Sequence, residues 1–271
     1  MAQPHQGQIA GTRWDPGQYG KFSDHRLRPA LELLDRVPLP SPGVIYDLGC
    51  GSGQVTRIMA ERWPSATVYG LDNSQEMLQQ ASADPGTVRW IQGDIRGWAP
   101  EEPPDLLYSN ATLQWLDDHP ALFPRLIGLL SPGGCLALQM PLSWGAPSHR
   151  LMRETLANGG PDGSALGTEE LRRAVSRNWV EDAEFYYDLL AARTRGIDIW
   201  ETEYLQSLEG DNPVLEWVKG TGLRPILNSL GDVERAVYLA EYARRLRLAY
   251  PARPDGRTLY PFRRLFIVAT L

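Results

Sequence analysis

Ile45-Tyr46-Asp47-Leu48-Gly49-Cys50-Gly51-Ser52-Gly53 is a short apolar run that empties into a glycine-rich turn, and Gly70-Leu71-Asp72 ends a second apolar run in a carboxylate. Glycine at such a turn lets the backbone approach a ligand closely. A helix opening there points N–H groups at whatever occupies the turn. The carboxylate at the neighbouring strand tip accepts hydrogen bonds from ribose hydroxyls. Together they read as the grip of an α/β sheet on the sugar end of an adenosine ligand.

The glycine order narrows the ligand. A dinucleotide site wants Gly-x-Gly-x-x-Gly; here the order is Asp47-x-Gly49-x-Gly51-x-Gly53, and Gln54 stands at the third dinucleotide position. A carboxylate at Asp47 repels a pyrophosphate and suits an ammonium group. S-adenosylmethionine, with no phosphate and a cationic methionine end, fits better than NAD. A nicotinamide-dependent reductase is the competing reading, and Gln54 disfavours it. A tight turn with no ligand is the bland one, and Asp72 falling in step argues against it.

The 271 residues are 42% hydrophobic and 22% charged, ordinary for a globular chain. A net charge of −6 disfavours a nucleic-acid binder, which needs clustered Lys and Arg. The two cysteines, Cys50 and Cys135, form no disulfide framework, so a reducing cytoplasm is expected. No signal-peptide core and no membrane-spanning run of roughly 20 apolar residues is seen. No metal is expected. Monomer and homodimer are both left open.

Residues 1–13 read as a disordered tail and 14–271 as one domain. Phe22, Leu27, Ala30, Leu31 and Leu34 predict a helix over 19–37, split in two if Pro29 breaks it. Strands are expected at 44–48, 67–71, 88–92, 106–109 and 135–139, with helices at 53–62, 74–83 and 121–130 between them. That alternation means a mostly parallel sheet with helices on both faces. After Pro141, residues 141–168 read as Gly/Pro/Ser-rich loop. Helices follow at 169–178, 183–192 and 213–249, a strand at 197–205, and a closing strand at 264–271. The spans 141–195 and 207–258 are expected to cap the ligand crevice.

Ligands sit beyond the carboxyl ends of such strands: Gly49–Gly53, Asp72, Asp94-Ile95 and Ser109-Asn110. Asp94 reads either as an acceptor for an adenine amino group or as a turn aspartate. Met77 reads as an adenine-packing residue or as plain core.

These motifs resemble those of the class I S-adenosylmethionine-dependent methyltransferases. Nearly the whole chain resembles the trans-aconitate 2-methyltransferase family within them. The likeness rests on Tyr19-x-x-Phe22, Arg26-x-Arg28-Pro29-Ala30, Asn110-Ala-Thr-Leu-Gln-Trp115, Gln139-Met-Pro141, Ser148-His-Arg-Leu-Met-Arg-Glu154, Trp217-Val-Lys-Gly-Thr-Gly-Leu-Arg-Pro225 and Arg264-Leu-Phe-Ile-Val-Ala269. The resemblance implies a Rossmann-like seven-stranded sheet with an antiparallel last strand. It also implies methyl transfer from S-adenosylmethionine to a carboxylate of trans-aconitate or a similar small polycarboxylic acid, giving a methyl ester. Asp47, Gly49, Cys50, Gly51, Gly53, Asp72, Asn73, Met77, Asp94, Ile95 and Asn110 are then the cofactor residues.

Carboxyl methylation needs little from the protein by way of acid–base chemistry. A carboxylate with a pKa of about 4 is already ionised at neutral pH, so alignment and water exclusion suffice. Tyr19, Arg26, Gln114 and Trp115 are the catalytic candidates. Arginine's planar fork suits a carboxylate, yet Arg26 equally suits a structural ion pair or the cofactor's carboxylate. Tyr19 and Trp115 equally suit packing. His149, Tyr186, Arg224 and Arg264 are the substrate candidates: His149 because its surroundings read as loop, Tyr186 because only one of Tyr186 and Tyr187 can face the site. Arg224 has an alternative as a lid anchor and Arg264 as partner to a nearby acid. A methyltransferase for another small-molecule acid, amine or phenol, and a binding module without turnover, complete the alternatives.

Overall fold

Strands β1 (Val44–Leu48), β2 (Thr67–Asp72), β4 (Leu106–Asn110) and β5 (Cys135–Pro141) are apolar almost throughout, which is what a strand needs when both its faces are covered. Ile45, Leu48, Leu71, Leu106, Leu107, Leu136 and Leu138 are wholly buried. The computed structural model describes residues 23–178 and 180–271, with the backbone only at 23–26. The tail at 1–13 and Tyr19 lie outside the described residues.

With β3 (Arg89–Gln92), β6 (Gly196–Leu208) and β7 (Thr258–Thr270), these strands form a seven-stranded sheet in the order β3-β2-β1-β4-β5-β7-β6. β1 pairs in parallel with β2 and β4, β2 with β3, and β4 with β5; β7 runs antiparallel to β5. The order reverses at β1, so the crevice lies between the tips of β1 and β4. Helices α1 (Ser23–Asp35), α2 (Gln54–Arg62), α3 (Gln75–Ala81) and α4 (His119–Leu129) lie before and between the strands. α1 runs through Pro29 unbroken. Tyr108 Oη donates to the Ala30 carbonyl at 2.7 Å, and Ala30, Leu33 and Leu34 are buried, so packing offsets the lost ladder bond. Ser131 to Gly134 forms a tight turn into β5, with the Gly134 N–H donating to the Ser131 carbonyl at 2.9 Å.

The chain divides into two compact units. Among the described residues the sheet unit spans 23–141, 180–202 and 264–271; the second holds 142–178 and 203–263. Helix α7 (Ala183–Ala191) belongs to the sheet unit, although the expected cap span of 141–195 included it. The second unit has its own apolar core, with Met152, Leu156, Trp217, Val218, Leu223, Tyr238, Tyr242 and Tyr260 at its centre. Among the described residues its helices are α5 (Pro147–Asn158), α6 (Glu169–Val175), α8 (Pro213–Lys219), α9 (Arg224–Ser229) and α10 (Asp232–Ala249). α5 corrects the loop expected over 141–168: Pro147 stands in its first turn, where proline starts a helix instead of breaking it.

Candidate active site

The turn after β1 is built on three left-handed glycines, Gly49, Gly51 and Gly53, with φ of 78°, 55° and 80°. At Gly49 a side chain is excluded twice over. The conformation disfavours one, and a Cβ there would lie 2.2 Å from the Thr112 side chain. Thr112 Oγ1 donates to the Gly49 carbonyl at 3.2 Å, and Ser109 Oγ to the Leu48 carbonyl at 2.9 Å. These bonds hold the turn to the tip of β4.

Four amides of the turn bond within the protein. Gly49 and Cys50 N–H donate to the Leu71 carbonyl at 2.7 and 3.0 Å, and Gly53 N–H to the Cys50 carbonyl at 3.0 Å. Gly51 N–H donates to Asp72 Oδ2 at 2.9 Å. Beside these four amides stands the half-exposed Asp72 carboxylate. Its Oδ1 accepts from Ser74 N–H at 2.8 Å. Two amides fix its orientation and leave lone pairs for hydroxyl donors.

Asp47 is buried, accepting from Thr56 Oγ1 at 2.6 Å. Burial pushes its carboxyl up to about 7; the Thr56 bond opposes the rise and the Asp72 charge adds to it. Burial and the charges of Asp47 and Asp72 push the Cys50 thiol up as well, so it is no nucleophile at neutral pH.

Asp94 is held in a turn of its own. Arg96 gives it both a backbone N–H at 3.0 Å and its guanidinium, which holds the carboxyl below the ordinary carboxylate range. Ile95 is buried beside it. Arg125, on α4, fixes this loop by donating to the carbonyls of Ile95 and Trp98. Sequence reasoning missed Arg125 because its partners are backbone carbonyls. Met77 packs as core, its N–H capped by Ser74 Oγ at 3.2 Å, and Asn73 is exposed.

At the tip of β4 the backbone is strained: Ala111, no glycine, has φ of 54°. Beyond it, a short 3-10 turn, Leu113–Trp115, carries both catalytic candidates of this stretch. Gln114 Nε2 donates to the Ala111 carbonyl at 2.6 Å, and Gln114 Oε1 is buried with no hydrogen-bond partner.

Other candidates are corrected. Tyr186 is wholly buried, its hydroxyl 2.7 Å from His119 Nδ1 and accepting from Glu181 N–H at 3.2 Å. It packs between α7 and α4 against Phe123 and His119, so it is core and not a substrate contact. Arg264 is also buried, and its Nη1 donates to Gln139 Oε1 at 2.9 Å. His149 stands on helix α5 and not in a loop. Its Nδ1 lies 3.1 Å from Ser148 Oγ, and its ring abuts Gly222 in the turn before Arg224. Burial and the neighbouring Arg153 push it down to about 4, so it is neutral at pH 7. His149 and Arg224 thus share the second unit, while the cofactor candidates, Gln114 and Trp115 share the sheet unit. Arg26 lies on α1.

Three observations test whether this turn fits a sulfonium nucleoside. A Cβ at Gly51 would meet nothing within 4 Å, so the turn offers an open cradle. The orphaned Gln114 Oε1 offers a carbonyl oxygen to a cationic group, and Asp72 suits ribose hydroxyls. The residues fit. A sheet of this order with a reversed β7, and a glycine turn facing a carboxylate at β2, define a class I S-adenosylmethionine-dependent methyltransferase.

Comparison with known proteins agrees. Residues 45–134 match the methyltransferase domain family model. Trans-aconitate 2-methyltransferase of Pseudomonas aeruginosa strain UCBPP-PA14 is 46% identical, over 96% of this chain and 94% of that protein. Those of Azoarcus sp. strain BH72 and Streptomyces avermitilis are each 48% identical, over 94% of this chain and 98% and 96% of theirs. The chain belongs to the trans-aconitate 2-methyltransferase family. Among solved structures, the YcgJ protein of Bacillus subtilis has a TM-score of 0.57 at 14% identity, covering 91% of this chain and 98% of that one. Haemonchus contortus phosphoethanolamine N-methyltransferase 2, solved with S-adenosyl-L-methionine, has 0.54 at 16% identity, covering 98% of this chain and 58% of that one. At these identities the likeness is one of fold.

Proposed function

We propose that the protein transfers a methyl group from S-adenosylmethionine to a carboxylate of trans-aconitate or a close polycarboxylic relative, forming a methyl ester. The likeness to trans-aconitate 2-methyltransferases over 94% or more of the chain carries this reading. When bound, the cofactor supplies a methyl group made electrophilic by its sulfonium. Asp72 takes the ribose hydroxyls, Asp94-Ile95 the adenine end, and Asp47, Asn110 and Gln114 the methionine end. The acid's carboxylate is already ionised at neutral pH, so no side chain removes a proton. The chain's part is to align the reacting groups and exclude water. Arg26 and Tyr19 belong to this reading as groups that close on the reacting carboxylate, with Trp115 as its wall. Arg224 and His149 hold the remaining acid groups; His149, neutral at pH 7, does so by hydrogen bonding and not by charge. The protein works in the cytoplasm as monomer or homodimer, on a small molecule and neither nucleic acid nor membrane. Among the described residues no helix is long and apolar enough to cross a membrane.

The test is turnover with trans-aconitate beside a panel of mono- and dicarboxylic acids, amines and phenols, products identified by mass. A trans-aconitate methyl ester is expected. Ester from no acid, with product from an amine or phenol, would replace the reading with the alternative acceptor class. Asp72→Ala is expected to weaken S-adenosylhomocysteine binding at least ten-fold by calorimetry, since it removes a carboxylate from two hydroxyl donors.

A further inference from the structure

We propose that Arg264, acting through Gln139, is a positioning residue that turns the Nδ2 donors of Asn110 toward a ligand carboxylate. The inference deepens the carboxyl-methyltransferase reading and rests on it for the identity of the acid. All three residues lie in the sheet unit. Arg264 Nη1 donates to Gln139 Oε1 at 2.9 Å, and Gln139 Nε2 donates to Asn110 Oδ1 at 2.7 Å. Gln139 is wholly buried and Arg264 is 4% exposed.

The direction of this chain is fixed at one end. A guanidinium carries donors and no acceptor, so Gln139 must face it with its oxygen. Its amide nitrogen then faces Asn110, which must answer with Oδ1. An isolated carboxamide can exchange its O and N ends with little consequence; here the charged anchor leaves one arrangement. The two Nδ2 protons of Asn110 therefore point away from Gln139. Among the described residues nothing accepts from them, and the side chain is half-exposed.

The backbone holds the same register. Asn110 pairs with Gln139 across β4 and β5, and Ala111 N–H donates to the Gln139 carbonyl at 3.0 Å. Asn110 cannot escape the relay by a local shift without breaking both. It sits at the carboxyl end of β4, next to β1 and its glycine turn. A pair of oriented N–H donors there complements a negatively charged oxygen. The methyl donor carries one carboxylate and the acid others, so the shared chemistry is a carboxylate oxygen.

The decisive variant is Gln139→Glu, which keeps shape and still pairs with Arg264 but offers acceptors only. Asn110 must then turn its NH2 inward and present Oδ1 to the ligand. Expected is a melting temperature of the unliganded protein at or above that of the wild type, with about ten-fold or greater loss in one of two readouts. A weaker S-adenosylhomocysteine affinity by calorimetry assigns the carboxylate to the methyl donor. A raised KM for trans-aconitate with that affinity intact assigns it to the acid. Arg264→Met and Arg264→Lys form an independent second arm: the lysine, which keeps a donor for Gln139 Oε1, should recover part of what the methionine loses. Wild-type affinity and KM in Gln139→Glu, or a lysine variant no better than the methionine one, would overturn the proposal. If the wild type esterifies no acid, the preceding reading fails, and the S-adenosylhomocysteine affinity of Gln139→Glu alone decides this one.

Discussion

Gly49→Ala should cost this protein much of its stability, and the cost should come in two separable parts. The first is backbone: with φ at 78°, an alanine is held in the left-handed region, at about 1–2 kcal/mol. The second is overlap. The new Cβ would lie 2.2 Å from Cγ2 and Oγ1 of Thr112 and 2.6 Å from its Cβ. Ordinary carbon contacts are about 3.5–4.0 Å, so tenths of an ångström of relaxation do not clear it. Thr112 must move, which breaks its bond to the Gly49 carbonyl; overpacking of this kind costs about 1–3 kcal/mol. The sum, about 2–5 kcal/mol, is a large share of the roughly 5–15 kcal/mol typical of a whole protein. Thr112→Gly removes all three clashing atoms and leaves the backbone part. Urea unfolding of wild type, both single variants and the double variant should therefore give a coupling of about 1–3 kcal/mol. Additivity to within about 0.5 kcal/mol would refute the steric argument and leave only the backbone one.

Asp47 sets a pH dependence. Its folded carboxyl, pushed up to about 7, keeps a proton that the unfolded chain loses near pH ~3.9. Its contribution is therefore full at low pH and is lost as pH rises through about 7. Thermal melts from acid to pH 8 should show that falling limb removed in Asp47→Asn; parallel curves would contradict it. Tyr186→Phe should lower stability by about 1–3 kcal/mol by stripping partners from His119 and the Glu181 amide, leaving the KM values alone. A raised KM for the acid would return Tyr186 to the substrate. Arg125→Met should loosen 95–98, seen as faster hydrogen exchange there and several-fold weaker S-adenosylhomocysteine binding; unchanged exchange would count against the loop's dependence on that guanidinium.

The sheet was legible because its signals are local. Apolar runs at 44–48, 67–71 and 106–109 and glycines in the turns between them need no distant partner to be read. Ser74 announced α3, though as its N-cap and not its first residue. Helix α5 was hidden because Pro147 and its glycine-rich flanks match a loop as well as a helix start. β7 starts at Thr258, well before the expected 264, since Pro261 obscured its period. Within the site, the glycine turn and Asp72 could be named from spacing alone, whereas Gln139 had no readable role. Its task depends on residues 29 and 125 positions away along the chain. Tyr186 failed for the converse reason: an aromatic with a hydroxyl reads alike in a pocket or in a core, and only its contact with His119 decides.

Ala111 keeps a left-handed backbone without being glycine, a conformation that costs about 1–3 kcal/mol. A glycine in its stead would relax that strain and also widen the range of angles open to the joint between β4 and the Gln114 turn. Keeping a methyl group there trades thermal robustness for stiffness. The carboxamides on either side of the joint are thus aimed by a spring already wound, which no partner has to wind on arrival.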